Sequence, residues 1–212
     1  MSSGTLRGLK RKEKKKMKNR LLIKKMTGIA MLAVLVCIFA LISNYITIGS
    51  VNITLSLIPI VIGAIVFGPL AGFILGLVNG VMVLLAPSTA LFLSFNVWIT
   101  IFVCLIKTGL AGLFAGFLFQ WLKKKHLKLG VILASVSVPI INTLLFALSC
   151  MTLFLPLIES MTPDATSTYT FIFLSMIGIN FIIELLINSI LSPAILTIVH
   201  YVFKNQFSEK NI

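Results

Sequence analysis

Long apolar runs separated by short polar or basic breaks dominate the chain, and six of them predict helices. The first lies at about 28–48. The second, at about 53–67, holds Pro59, which is placed to kink its helix and free a carbonyl. The third runs over about 69–86 and stops at Ala86-Pro87-Ser88. The fourth covers about 96–122 and stops at Lys123-Lys124-Lys125. A fifth covers about 129–155 around Pro139, and a sixth about 170–203. Apolar runs of about 18 or more residues with few charges read as membrane spans. The pattern predicts an all-α integral membrane protein, a compact six-transmembrane-helix bundle. Residues 1–25 form a basic tail, expected to be mobile to about Asn19. Residues 26–203 form one transmembrane domain, and 204–212 a short C-terminal tail.

The most heavily punctuated stretch, 49–85, has no charge yet carries Pro59, Gly63, Gly68, Pro69, Gly72, Gly76 and Gly80. Gly68-Pro69 signals a tight turn between the second and third runs. Gly68, Gly72, Gly76 and Gly80 recur every fourth residue, which makes a side-chain-free ridge along one face of a helix. Such a ridge serves close packing of a neighbouring helix or, less commonly, a bound ligand.

The composition is 58% hydrophobic and 11% charged, too apolar for a soluble domain of 212 residues. The formal charge of +13 would suit nucleic acid if it were spread over a folded face, but it is not. Eleven basic residues fall within 7–25, four within 123–128, and two at 204 and 210. Basic segments beside spans act as topology signals or lipid-surface contacts, so no nucleic-acid partner is expected. With six spans, all three basic segments lie on one side, the cytoplasm, together with both termini. The loops 47–52, 87–95 and 156–169, which lack Lys and Arg, then face outside. The run 29–48 is too long for a cleaved leader and is expected to remain as the first span. Cys37, Cys104 and Cys150 stand singly in apolar runs and read as small buried residues, without metal-like spacing.

Lys107 and Glu184 are the two charges inside the apolar body. A lysine at the centre of a span costs about 2.5–3.5 kcal/mol on insertion scales, so such a group faces the bundle interior or a cavity. Each lies roughly 18–21 Å from the outer end of its span at helical rise. They either pair, locking the fourth span to the sixth, or serve a ligand, Lys107 meeting a carboxylate and Glu184 a hydroxyl or amide donor. Asn180, Glu184 and Asn188 are spaced four apart and share one helix face. Buried polar groups there need partners, from helix–helix hydrogen bonds or from a ligand. Asn142, Asn79 and Asn96 would complete a polar pocket. Phe95 and Trp98 would give it an aromatic wall, unless Trp98 is an interface aromatic. His126 and His200 have no carboxylate or cysteine at ligand spacing. There is no GxSxG, HExxH or P-loop, so no catalytic site and no ATP hydrolysis by this chain are expected.

The segment 58–76, Ile-Pro-x-x-Ile-Gly-x-Ile-x-x-Gly-Pro-x-x-Gly-x-x-x-Gly in outline, is followed by Asn142-Thr143 and then by Glu184, Asn188 and Pro193. In this order the landmarks resemble the substrate-binding S components of energy-coupling factor (ECF) vitamin transporters over most of 26–203. The resemblance implies a subunit in the cell membrane that captures a water-soluble vitamin from outside and topples in the bilayer to release it. Its implied partners are a transmembrane coupling subunit and two ATPase subunits. These hydrolyse the ATP, and the chain itself binds no cofactor. Members of the family dock through an Ala-x-x-x-Ala motif on the first span. Here Ala33-x-x-x-Cys37, with Gly28 and Ala30, approximates it, and intramolecular packing would account for the same residues. The landmarks look most like pantothenate-type members, with riboflavin, folate or a thiamin-type compound as alternatives. Ile106-Lys107 departs from the Pro-Arg pair of the pantothenate-type members. Two other readings differ in kind. A prenyl-site protease-like enzyme needs paired Glu and His residues, which are missing. A structural or regulatory membrane protein would bind anionic lipid through residues 7–25 and lose its function with that tail.

Overall fold

The computed structural model describes residues 3–45, 47–48, 51–52, 54–163 and 167–208, with side chains placed for 16–44, 54–163, 167–174, 177–178 and 180–202. The calls on Gly49, Ser50, Ile53, Asp164 and Lys210 lie outside the described residues. Among those described, each of the six apolar runs is helical. α1 (Ser3–Tyr45) begins well before the apolar run and takes in the basic segment. Lys, Arg, Glu, Leu and Met propagate a helix well, and no proline interrupts them. Helix therefore carries these charges. Two-residue strands β1 (Thr47–Ile48) and β2 (Val51–Asn52) pair antiparallel after it.

α2 (Leu57–Phe67) has 11 residues, roughly 16 Å at helical rise against a hydrocarbon core of about 30 Å. It does not cross by itself. Pro59 lies in its first turn, where an N–H has no intrahelical partner anyway, and the Leu55 carbonyl is taken by the Ile58 N–H at 3.2 Å. The carbonyl that Pro59 leaves without its usual donor is therefore paired. Gly68 ends α2 with φ 97°, a conformation that favours glycine. Pro69 then opens α3 (Pro69–Leu84), its fixed φ suited to the first helical position.

The stretch after Ala86 is helical too. A 3₁₀ turn (Pro87–Thr89) and α4 (Ala90–Phe95) continue α3 at a bend of 76°. Next come α5 (Val97–Leu122), α6 (Leu127–Thr152), α7 (Leu155–Met161) and α8 (Thr168–Phe171). A π-helical stretch (Ile172–Gly178) leads into α9 (Ile179–Ser208). Inside α9, Pro193 removes the donor for the Ser189 carbonyl, and the Ser192 hydroxyl supplies one at 2.9 Å. Among the described residues four helices are long and apolar enough to cross a membrane, Lys16–Asn44, Val97–Leu122, Leu127–Thr152 and Asn180–Val202. They become five if α3 and its bent continuation count as one span.

α3 and α5 form the closest helix pair, and the glycine ridge is the reason. A Cβ on Gly72 would strike the Gly112 carbonyl, one on Gly76 the Thr108 carbonyl, and one on Gly80 the Cys104 carbonyl. Gly112 and Gly116 answer from α5, abutting the Gly72 carbonyl and Pro69. The ridge is a packing seam. It sets the register of Asn79 on α3 against Lys107 and Thr108 on α5. One apolar cluster gathers around α2 with Leu75, Ala111, Phe119, Val131 and Ile195. A second joins Val103, Cys150, Phe154, Ile158 and Ile172.

Candidate functional site

A cavity of about 320 Å³ opens at the end of the bundle where α1 ends, α3 ends and α5 and α9 begin. Val103, Phe154 and Ile177 of the second apolar cluster line it. Each wall follows from local chemistry. Ser43, near the end of α1, donates to the Phe39 carbonyl at 2.7 Å and accepts from the Leu55 N–H at 3.0 Å. This ties the entry to α2, with Thr54 and Ser56, to α1. Thr89 is held by its bond to the Val83 carbonyl at 2.7 Å, which folds the 3₁₀ turn back over the end of α3. Thr100 binds the Phe92 and Asn96 carbonyls, each at 2.8 Å, and seats α4 on α5.

Five of the eight sequence-predicted residues line this one cavity: Lys107, Glu184, Asn180, Asn142 and Asn79. The other three do not. Asn188 is fully buried, and its Nδ2 donates to the Glu184 backbone carbonyl at 2.9 Å, within the helix rather than at the cavity wall. Asn96 caps α5, its Oδ1 accepting from the Ile99 N–H at 3.1 Å. Trp98 is 83% exposed on the outside of the bundle, where an aromatic at a span's end meets the membrane interface. Phe95 is also outside the wall. The aromatic wall comes from Phe92, Phe146, Phe154 and Phe181, with Phe92 edge-on to Phe146 and Phe154 at centroid distances of 5.8 and 4.9 Å.

Lys107 and Glu184 share the cavity without joining in an ion pair. The Lys107 Nζ lies 4.6 Å from the Phe146 ring centroid, a cation–π contact. Glu184 is 6% exposed and faces Thr54. Four wall hydroxyls, those of Ser43, Thr89, Thr100 and Thr108, are already committed to backbone carbonyls, Thr108 to Cys104 at 2.8 Å. Two of the amides keep open groups: both side-chain polar atoms of Asn79, and Oδ1 of Asn142, have no hydrogen-bond partner among the described residues. The cavity therefore offers a cation, a carboxyl group and amide donors and acceptors against a phenyl wall. A small molecule carrying both an anion and hydrogen-bonding groups is what such a set can hold.

Sequence reasoning missed Thr54, Ser56, Phe92, Phe146 and Phe154. The Asn142-Thr143 pair pointed to the right turn of α6, four residues before Phe146. Of the residues proposed for docking, Gly28 packs against the Phe67 ring and Ala33 against the first apolar cluster. Cys37 is half-buried, and Ala30 is exposed beside Met31 and Val34. No group of three or more metal-ligating side chains occurs among the described residues.

The family model described as ECF transporter, substrate-specific component matches residues 24–196. This range contains every cavity-lining residue. Comparison with curated proteins and with solved structures yields no match. A bundle of membrane-span-capable helices around a cavity lined by polar and phenyl side chains agrees with that match over most of the chain, and the protein belongs to the substrate-specific component family of ECF transporters, whose members are transporter subunits rather than enzymes.

Proposed function

We propose that the protein captures a compact, carboxylate-bearing vitamin, pantothenate foremost, and delivers it across the cell membrane with a coupling subunit and two ATPase subunits. One observation carries the reading: Lys107 and Glu184 line the same cavity without forming a direct ion pair. Two charges in a membrane interior are costly to keep apart, and a ligand that engages both gives that arrangement a use. Lys107 meets the carboxylate. Glu184, Asn79, Asn142 and Asn180 serve the hydroxyls and the amide. A volume of about 320 Å³ is at the low end of the roughly 300–1,000 Å³ typical of small-molecule sites. It suits pantothenate better than the bulkier folate or riboflavin.

In the six-span arrangement, α2 and the bent α3–α4 pair complete the set, and the cavity opens at the end of the bundle free of Lys and Arg. The basic turn at 123–128 lies at the opposite, cytoplasmic end. This supports uptake from outside. The outward face of α1 around Ala30 and Val34 is the surface left for the coupling subunit, since Gly28 and Ala33 are engaged within the bundle. Calorimetric titration of the detergent-purified protein with pantothenate, riboflavin, folate and thiamin tests the reading. Tight binding of pantothenate alone is expected, and no binding by any of the four would overturn it.

A further inference from the structure

Asn79 stands apart from the other polar residues of the cavity. It projects from α3 one residue before Gly80, on the helix that the glycine seam fixes against α5. It is 1% exposed, lines the cavity, and neither its Oδ1 nor its Nδ2 has a partner among the described residues. A side-chain amide has two donor hydrogens and two acceptor lone pairs. Because both of its polar atoms lack partners, turning the amide plane over changes nothing in the argument. Thr100 and Thr108, which line the same cavity, already donate to helix carbonyls. Asn188, by contrast, has its Nδ2 engaged by its own helix. Buried polar groups in folded proteins are nearly always hydrogen-bonded, so an amide with neither group paired indicates a function rather than a packing role.

We infer that Asn79 is a specificity-determining residue, reading on the ligand a group that both donates and accepts hydrogen bonds, such as an amide or a hydroxyl. This rests on the substrate-capture reading of the same cavity. Lys107 selects for negative charge, which many metabolites share. Asn79 adds the distinction among anions, because a site built to hydrogen-bond rejects an analogue that leaves its polar group unpaired. A carboxylate with only an alkyl chain satisfies Lys107 and fails at Asn79.

The signature separates this role from a structural one. A side chain that holds helices together destabilises the protein when it is removed. A buried amide kept for a ligand does not, because an apolar side chain of similar size removes an unpaired polar group. The experiment measures Asn79→Leu and wild type twice, by thermal melting without ligand and by calorimetric titration with pantothenate. The expected result is a ligand-free Tm equal to or above wild type, with affinity reduced by about 100-fold or more. A ligand-free Tm several degrees lower, or unchanged affinity, would overturn the inference. If wild type itself fails to bind pantothenate, the substrate assignment falls, and the melting comparison still decides the role of Asn79. Should Asn79→Leu not fold, Asn79→Ala undergoes the calorimetric titration with the same affinity criterion, unchanged affinity again overturning the inference.

Discussion

Replacing Gly76 by alanine adds one methyl group where α3 meets α5 backbone to backbone. The new Cβ would lie against the Thr108 carbonyl and 2.8 Å from the Gly109 Cα. Carbon atoms rest at about 3.5–4.0 Å, so the two helices must separate locally by roughly 0.7–1.2 Å. Neither neighbour is a side chain that can turn aside. Overpacking of this kind costs about 1–3 kcal/mol, partly offset by alanine's helix preference of about 0.8–1.0 kcal/mol over glycine. Gly109→Ala is the matched control on the facing helix. Its Cβ would meet the Phe73 ring and the end of Leu77 at 3.0–3.3 Å, contacts that side-chain rotation relieves. The expected order of stability is therefore Gly109→Ala near wild type and Gly76→Ala clearly below it. With a 1 kcal/mol change moving Tm by about 2–4 °C in a chain of this size, the gap should be several degrees. Thermal unfolding in detergent, followed by the fraction remaining monodisperse after heating, reads it. Equal melting of the two variants would refute the backbone-to-backbone seam, and with it the register proposed for Asn79 and Lys107.

Lys107→Ala is expected to weaken pantothenate binding by at least 30-fold in calorimetry, because truncating one partner of a buried charge pair costs about 2–5 kcal/mol; unchanged affinity would return Lys107 to a structural role beside Phe146. Trp98→Ala should leave affinity within about twofold, as expected for a residue 83% exposed away from the cavity, and a large loss would mean that the wall extends to the start of α5. Removing residues 1–15 should also leave affinity unchanged in the same titration, whereas a protein acting through lipid contacts of its basic segment would lose its function.

Much of the fold was legible because hydrophobic runs and glycine spacing report local backbone chemistry. The four-residue glycine period pointed to a seam, and the seam is present. Span length was less legible. Gly68 and Pro69 marked the break between α2 and α3, but the runs around them did not show that α2 keeps only 11 residues or that α3 bends at Ala86-Pro87. Along the cavity wall, Lys107, Glu184 and three of the asparagines were legible because polarity inside an apolar run is conspicuous. Asn188 was not separated from Asn180 and Glu184, although each four-residue step advances about 40° beyond a full turn. Two steps carry Asn188 roughly 80° around the helix and about 12 Å along it, away from the cavity. Asn96 had its own signal, an asparagine directly before a helix, which is a capping position. The phenyl wall had none. Phe92, Phe146 and Phe154 lie in runs where phenylalanines facing lipid and facing a cavity look alike, and only tertiary packing distinguishes them.

The central claim, capture of a carboxylate-bearing vitamin between Lys107 and Glu184, is tested most directly by the mass spectrum of small molecules released on denaturing the detergent-purified protein. The account predicts one stoichiometric compound, pantothenate, that disappears from the Lys107→Ala preparation. A stoichiometric compound without a carboxylate, or one retained in full by Lys107→Ala, would contradict it.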